Sequence, residues 1–191
     1  MSMRRLTRLL ASTPDEVLAF GVMNSLEVSD PSAVLLVADH TTEFPLTGSY
    51  DAIVLDGVLS EAERPLELLQ GAVGSLAPGG RLGVVELTAD PDFAREFPAA
   101  RDFVAQMYRM RPAYAFVPIF DELGLGVDRA EVRPAETAEL AERFRAIART
   151  SLTPTSRRMA SDLTVATETH LLMLAIWVCS TQPHRGAFAT S

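Results

Sequence analysis

Polar and apolar residues do not alternate along Asp51-Ala-Ile-Val-Leu-Asp56, so this segment predicts a short strand buried on both faces of a parallel sheet. A helix is expected next. Pro65 suits a first helical turn, acidic Glu61 and Glu63 suit the positive end of its dipole, and Leu69, Ala72, Val73 and Leu76 recur at helical spacing on one buried face. Pro78-Gly79-Gly80 stops that helix, and its glycines permit the positive φ needed to turn into a second strand, Arg81-Leu-Gly-Val-Val-Glu-Leu87. Ser49 to Leu87 therefore predicts a right-handed strand, helix and strand unit.

The same patterning extends to both sides. Ala33-Val-Leu-Leu-Val-Ala38 predicts another buried strand, closed by Asp39-His40 and a polar connection through Pro45 and Gly48. Pro91 to Arg109 carries Phe93, Phe97 and Val104 as the apolar positions of a helix that Pro98 interrupts. Phe120 to Leu123 should finish a helix at Gly124-Leu-Gly126, with a strand from Val127 to Val132. Glu136 to Arg149 is the clearest amphipathic helix, with Leu140, Phe144 and Ile147 on one stripe and Glu139 one turn before Arg143. Ser151 to Thr155 breaks it, Ser156 to Leu163 forms a further short helix, and His170 to Ser180 suits a buried strand, with a helix as the other option.

At 191 residues the chain suits one domain with a sizeable core. The expected division is an opening segment at 1–32, a core at 33–133, a helical insertion at 134–168, a last strand at 169–181 and a tail at 182–191. An α/β fold is expected, a doubly wound and mostly parallel sheet shortened on one side, with the helical insertion before the last strand. The longest apolar run, Leu171 to Cys179, is too short to span a bilayer, and the start has no secretory pattern, so a cytoplasmic location without membrane partners is expected.

The formal charge is −8, and every basic residue other than histidine is arginine, because the chain has no lysine. An acidic protein without a concentrated basic face repels phosphate backbones, which argues against nucleic acid and for a small-molecule substrate. A homodimer or a protein partner stays open. One cysteine, Cys179, excludes an internal disulfide, and its apolar surroundings suit a buried, inert thiol. The three histidines lack ligand spacing, so no metal site is expected. His40 and His170 are possible bases or hydrogen-bonded structural residues, and Tyr108, Tyr114, Phe116 and Trp177 could line a pocket or fill the core. No catalytic residue can be named.

Val34 to Leu87 resembles the middle of the class I S-adenosylmethionine-dependent methyltransferases, of the type acting mainly on small molecules. The resemblance lies in the order of parts: Val34 to Ala38, the acid Asp39, Pro45, the aromatic-acid pair Tyr50-Asp51, a helix from Pro65 to Ala77, and the turn Leu76-Ala-Pro-Gly-Gly80. Phe120 to Val132 also looks like that family's penultimate helix and strand. The resemblance implies that S-adenosylmethionine is the cofactor, with Asp39 beside the adenine amino group and the backbone of His40 at the ring edge. It further implies that Asp56 and Gly57 floor the methionine half of the pocket.

The family's opening strand has one candidate here, Glu16-Val-Leu-Ala-Phe-Gly21, with a single glycine in place of a glycine-rich loop and room for one crossover before Ala33, so a shortened or degenerate N-terminal cofactor-binding region is expected. Thr13-Pro14-Asp15-Glu16 also fits a helix start. Three functions follow. The first is a small-molecule methyltransferase. The second is a protein of that fold that has lost the cofactor and serves as a noncatalytic binding or assembly subunit. The third is a repurposed non-methylating enzyme such as a cyclase, whose chemistry needs mainly shape and orientation.

Overall fold

The computed structural model describes residues 34–37, 49–62, 64–104 and 111–181. The Glu16 to Gly21 segment, and with it the choice between strand and helix there, lies outside the described residues. Among the described residues five strands form one sheet: β1 (Val34–Val37), β2 (Tyr50–Asp56), β3 (Leu76–Ala89), β4 (Leu125–Val132) and β5 (Leu172–Thr181), in the order β1-β2-β3-β5-β4. Strands β1, β2 and β3 are mutually parallel, and β5 runs antiparallel between β3 and β4. Among the described residues no strand flanks the outer side of β1.

Helices cover both faces. A one-turn helix α1 (Val58–Glu61) and α2 (Pro65–Gly74) follow β2, α3 (Pro91–Glu96) and α4 (Pro98–Val104) follow β3, and a 3-10 turn at Ala113–Ala115 leads into α5 (Val117–Glu122). Two longer helices, α6 (Pro134–Thr150) and α7 (Pro154–Glu168), precede β5. On one face Ile53, Leu55, Leu82, Val84 and Trp177 pack with Leu59, Leu69 and Phe120 from α1, α2 and α5. On the other, Phe93, Ala100, Leu163 and Ala166 from α3, α4 and α7 pack with Leu172, Leu87 and Ala89. Ala52, Ile53, Val54 and Leu55 are all fully buried, as expected of a strand covered from both sides.

Several boundaries move for identifiable reasons. Helix α2 ends at Gly74 rather than Ala77, because the Ser75 N–H closes on Ala72 O at 3.1 Å and Leu76 already pairs with Tyr50. The strand expected from Arg81 therefore begins at Leu76 and carries the Pro-Gly-Gly turn as its irregular opening. Gly79 has φ 78°, and a Cβ on Gly80 would lie 2.9 Å from the carbonyl oxygens of both Ala77 and Tyr50. Glu61 falls in α1, and the acidic first-turn residue of α2 is Glu67, paired with Arg64.

Pro98 divides the Pro91 to Arg109 segment into α3 and α4, with residues 105–109 outside the described residues. Strand β4 starts at Leu125, immediately after Gly124 with φ 70°. In α6 the buried positions are Thr137 and Ala141, while Ile147 is 49% exposed, so the buried stripe is rotated from the expected one. Helix α7 runs about twice as far as Ser156 to Leu163. Its buried Thr164 and Thr167 hydroxyls donate to Ala160 O at 2.8 Å and Leu163 O at 2.7 Å, which lets polar side chains enter the core. The segment from His170 is a strand from Leu172.

Candidate functional site

Chain direction places the carboxyl ends of β1, β2 and β3 on one side of the sheet, where open α/β folds hold their ligands. Asp56 is the last residue of β2, half-buried and in register with Val85. Gly57 follows with φ 69°, and its N–H donates to Val85 O at 2.9 Å, so the chain turns sharply out of the sheet and into α1. Glycine suits that left-handed conformation, and among the described residues a Cβ built there meets nothing within 4 Å. Asp39 and His40, expected beyond β1, lie outside the described residues.

The structure adds a residue that sequence reasoning did not single out. Glu86, near the carboxyl end of β3, is 0% exposed. Its carboxylate accepts the Leu59 N–H at 2.7 Å, the Ser60 N–H at 3.3 Å and the Ser60 hydroxyl, all from α1. Burial raises its pKa, the Ser60 hydroxyl and the two backbone N–H groups oppose that rise, and the charge of Asp56 adds to it. The outcome is a carboxyl pushed up from 4.5 to about 7. The available signal was one charged residue inside an apolar strand, Val84-Val-Glu-Leu87, which must find donors if that strand is buried.

A cleft of about 240 Å³ is lined by Leu59 of α1, Pro65, Leu66 and Leu69 of α2, Phe116, Ile119, and the charged Arg111 and Glu122, so α1 links it to the corner that the helix follows. Arg111 is tied to the same end of the sheet, since its carbonyl accepts the Ala89 N–H at 3.2 Å. The cleft is mostly apolar, suited to a small ligand of hydrocarbon character.

The other sequence candidates separate. Trp177 is core, with its ring centroid 4.8 Å from Phe116 and 6.0 Å from Phe120. Phe116 is buried yet contributes to the cleft wall, Tyr114 is 69% exposed, and Tyr108 lies outside the described residues. His170 is exposed in the turn before β5, with φ 62°. Cys179 is a buried free thiol, which burial and the charge of Asp128 push up to about 12, so it is not a nucleophile at neutral pH. Among the described residues no His, Cys, Asp and Glu cluster has metal-holding geometry, and no helix is long and apolar enough to cross a membrane.

No protein-family model matches the chain, and no curated protein matches it. Solved structures do. Geranyl diphosphate C-methyltransferase from Streptomyces coelicolor A3(2), in complex with Mg2+, geranyl diphosphate and S-adenosylhomocysteine, aligns with a TM-score of 0.63 at 8% identity, over 88% of this chain and 79% of its own. The mycolic acid cyclopropane synthase CmaA1, complexed with S-adenosylhomocysteine and CTAB, aligns with a TM-score of 0.56 at 16% identity. The fold is that of the S-adenosylmethionine-dependent methyltransferases. It is not confined to methyl transfer, because the [4+2]-cyclase SpnF aligns with a TM-score of 0.50 at 19% identity over 75% of this chain. The chain spans 54% of the cyclase and 57% of the synthase, and at these identities the likeness is one of fold.

Proposed function

We propose that this chain is an S-adenosylmethionine-dependent methyltransferase-like protein that acts on a small molecule in the cytoplasm. The observation that carries the reading is the Asp56-Gly57 corner at the carboxyl ends of parallel strands in a sheet of methyltransferase type, followed by α1, whose Leu59 lines an apolar cleft. The donor set fits the group. Asp56 is an acceptor for an ammonium group, and Gly57 leaves the backbone approachable, so these two would hold the methionine half. Asp39 and the backbone of His40, following β1, would hold adenine, whose amino group donates to a carboxylate.

When bound, the cofactor supplies an electrophilic methyl on a sulfonium. The protein's part is then alignment: Leu59, Leu69, Phe116 and Ile119 would orient an apolar substrate, exclude water and hold its nucleophilic atom toward the corner. Such a reaction draws much of its acceleration from positioning, and the cleft supplies walls rather than a built acid or base pair.

A second reading is a shape-directed reaction without methyl transfer, such as a cyclisation. It is favoured by the apolar cleft and by the likeness to a cyclase of this fold.

Calorimetric titration with S-adenosylmethionine and S-adenosylhomocysteine, with thermal unfolding in parallel, tests the first reading. Saturable binding and a rise in Tm are expected, since a ligand selective for the native state stabilises it. No heat and no stabilisation at millimolar ligand would refute the cofactor assignment and leave the cofactor-free reading.

A further inference from the structure

Glu86 is a large energetic anomaly at the end of an apolar strand. On its face of β3 the preceding residues Leu82 and Val84 are core, and Glu86 continues that row opposite Ala175 of β5. A leucine there would bury more simply. Instead the chain places a carboxylate whose hydrogen-bond partners among the described residues all belong to one short segment, Leu59 and Ser60, the residues just after the Asp56-Gly57 corner. Together with the Gly57 N–H to Val85 O bond, β3 thus grips the corner on both sides of its bend.

Among the described residues, the charge that acts on Glu86 is Asp56 of β2. The facing residues of α1 are Leu59 and Ser60, and those of β5 are Ala175 and Met173, none of them charged. Protonation of Glu86 removes one acceptor from the grip, whereas ionisation restores it against the field of Asp56.

We infer that Glu86 is a positioning residue for the proposed cofactor corner, and that a cationic ligand group held at Asp56 binds in step with loss of the Glu86 proton. The inference rests on the cofactor reading above. The reasoning is reciprocal: a cation at Asp56 offsets the field that opposes ionisation of Glu86, so ligand binding expels the proton and proton loss tightens ligand binding. The position of Glu86 on the titration scale, about 7, puts this exchange near neutral pH.

The test is titration with S-adenosylhomocysteine, whose amino acid half carries an ammonium group, from pH 6 to pH 8 in buffers of different ionisation heat. The wild-type protein should bind about twofold more tightly at pH 8 than at pH 6 and release a fraction of a proton near pH 7. Glu86→Gln keeps the shape without the titration, and its affinity should show neither the pH slope nor the extra proton. Ser60→Ala removes a hydrogen bond that favours the ionised form, so the midpoint of its profile should move to higher pH.

Wild-type binding with a pH slope and proton count matching Glu86→Gln would overturn the inference while leaving the cofactor reading in place. If Glu86→Gln does not fold, an unshifted Ser60→Ala midpoint overturns it instead. Failure of the wild type to bind at any pH refutes the cofactor reading itself, and the coupling with it.

Discussion

Two carboxylates on the same sheet are held in opposite ways. Glu86, near the carboxyl end of β3, is fully buried and held by two backbone N–H groups and a hydroxyl, with no cation beside it among the described residues. Asp128 on β4 lies across the amino end of β3, accepts from Arg81 at 2.6 Å and from the Ser180 hydroxyl at 3.0 Å, and is 39% exposed. The surface pair joins β3, β5 and β4 with charge-matched partners that cost little to solvate. The buried carboxyl ties the Asp56-Gly57 corner to β3 at a cost that grows as it ionises. Charge at the amino end joins strands, and charge at the carboxyl end holds the proposed site.

The largest expected effect separates the two carboxylates by pH. Glu86 has a folded-state pKa raised above its usual value, so its contribution to stability is complete below about pH 4.5 and is lost as pH rises through about 7. Relative to Glu86→Gln, the wild-type protein should lose about 2–3 kcal/mol of unfolding free energy between pH 5 and pH 8. Urea denaturation at the two pH values measures this. Equal pH slopes for the two proteins would remove the distinction between the carboxylates.

Glycines at the two ends sharpen the comparison next. Gly80→Ala must push against two backbone carbonyls and should cost about 2 kcal/mol in urea denaturation. Gly57→Ala meets open space and carries only the penalty of its left-handed backbone, so about 1 kcal/mol is expected. Its effect should be greater on S-adenosylhomocysteine affinity, because the added methyl faces the proposed ligand. The smallest effect belongs to the surface pair. Arg81→Ala should cost about 0.5 kcal/mol, and the difference from wild type should shrink further in 1 M salt.

The strand, helix, turn and strand from Ser49 to Leu87 was legible because its signals are local: a continuous apolar run, a proline at a helix start and paired glycines at a turn. Boundaries failed where a partner strand decided them, as when Leu76 left the helix to pair with Tyr50. In α6 the helical period was legible but its phase was not. Thr137 turns inward because its hydroxyl accepts the Leu174 N–H of β5 at 3.1 Å, and Arg145, bonded to both Glu142 and Glu168, joins α6 to α7. The strand pattern put Asp56 and Gly57 at the end of β2, while their proposed part in a cofactor pocket came from the family resemblance. Glu86 could not be singled out, because its partner Ser60 is 26 residues away and the need for such a partner appears only once α1 lies over that face of β3.

Hydrogen exchange at single-residue resolution, with and without saturating S-adenosylhomocysteine at pH 8, tests the assignment of this corner most directly. Ligand should slow exchange of the Leu59 and Ser60 amides, whose acceptor is Glu86, and leave the Arg81 amide at the amino end of β3 unchanged. Equal rates at Leu59 and Ser60 in the free and ligand-saturated protein would contradict the assignment of the Asp56-Gly57 corner as the ligand site.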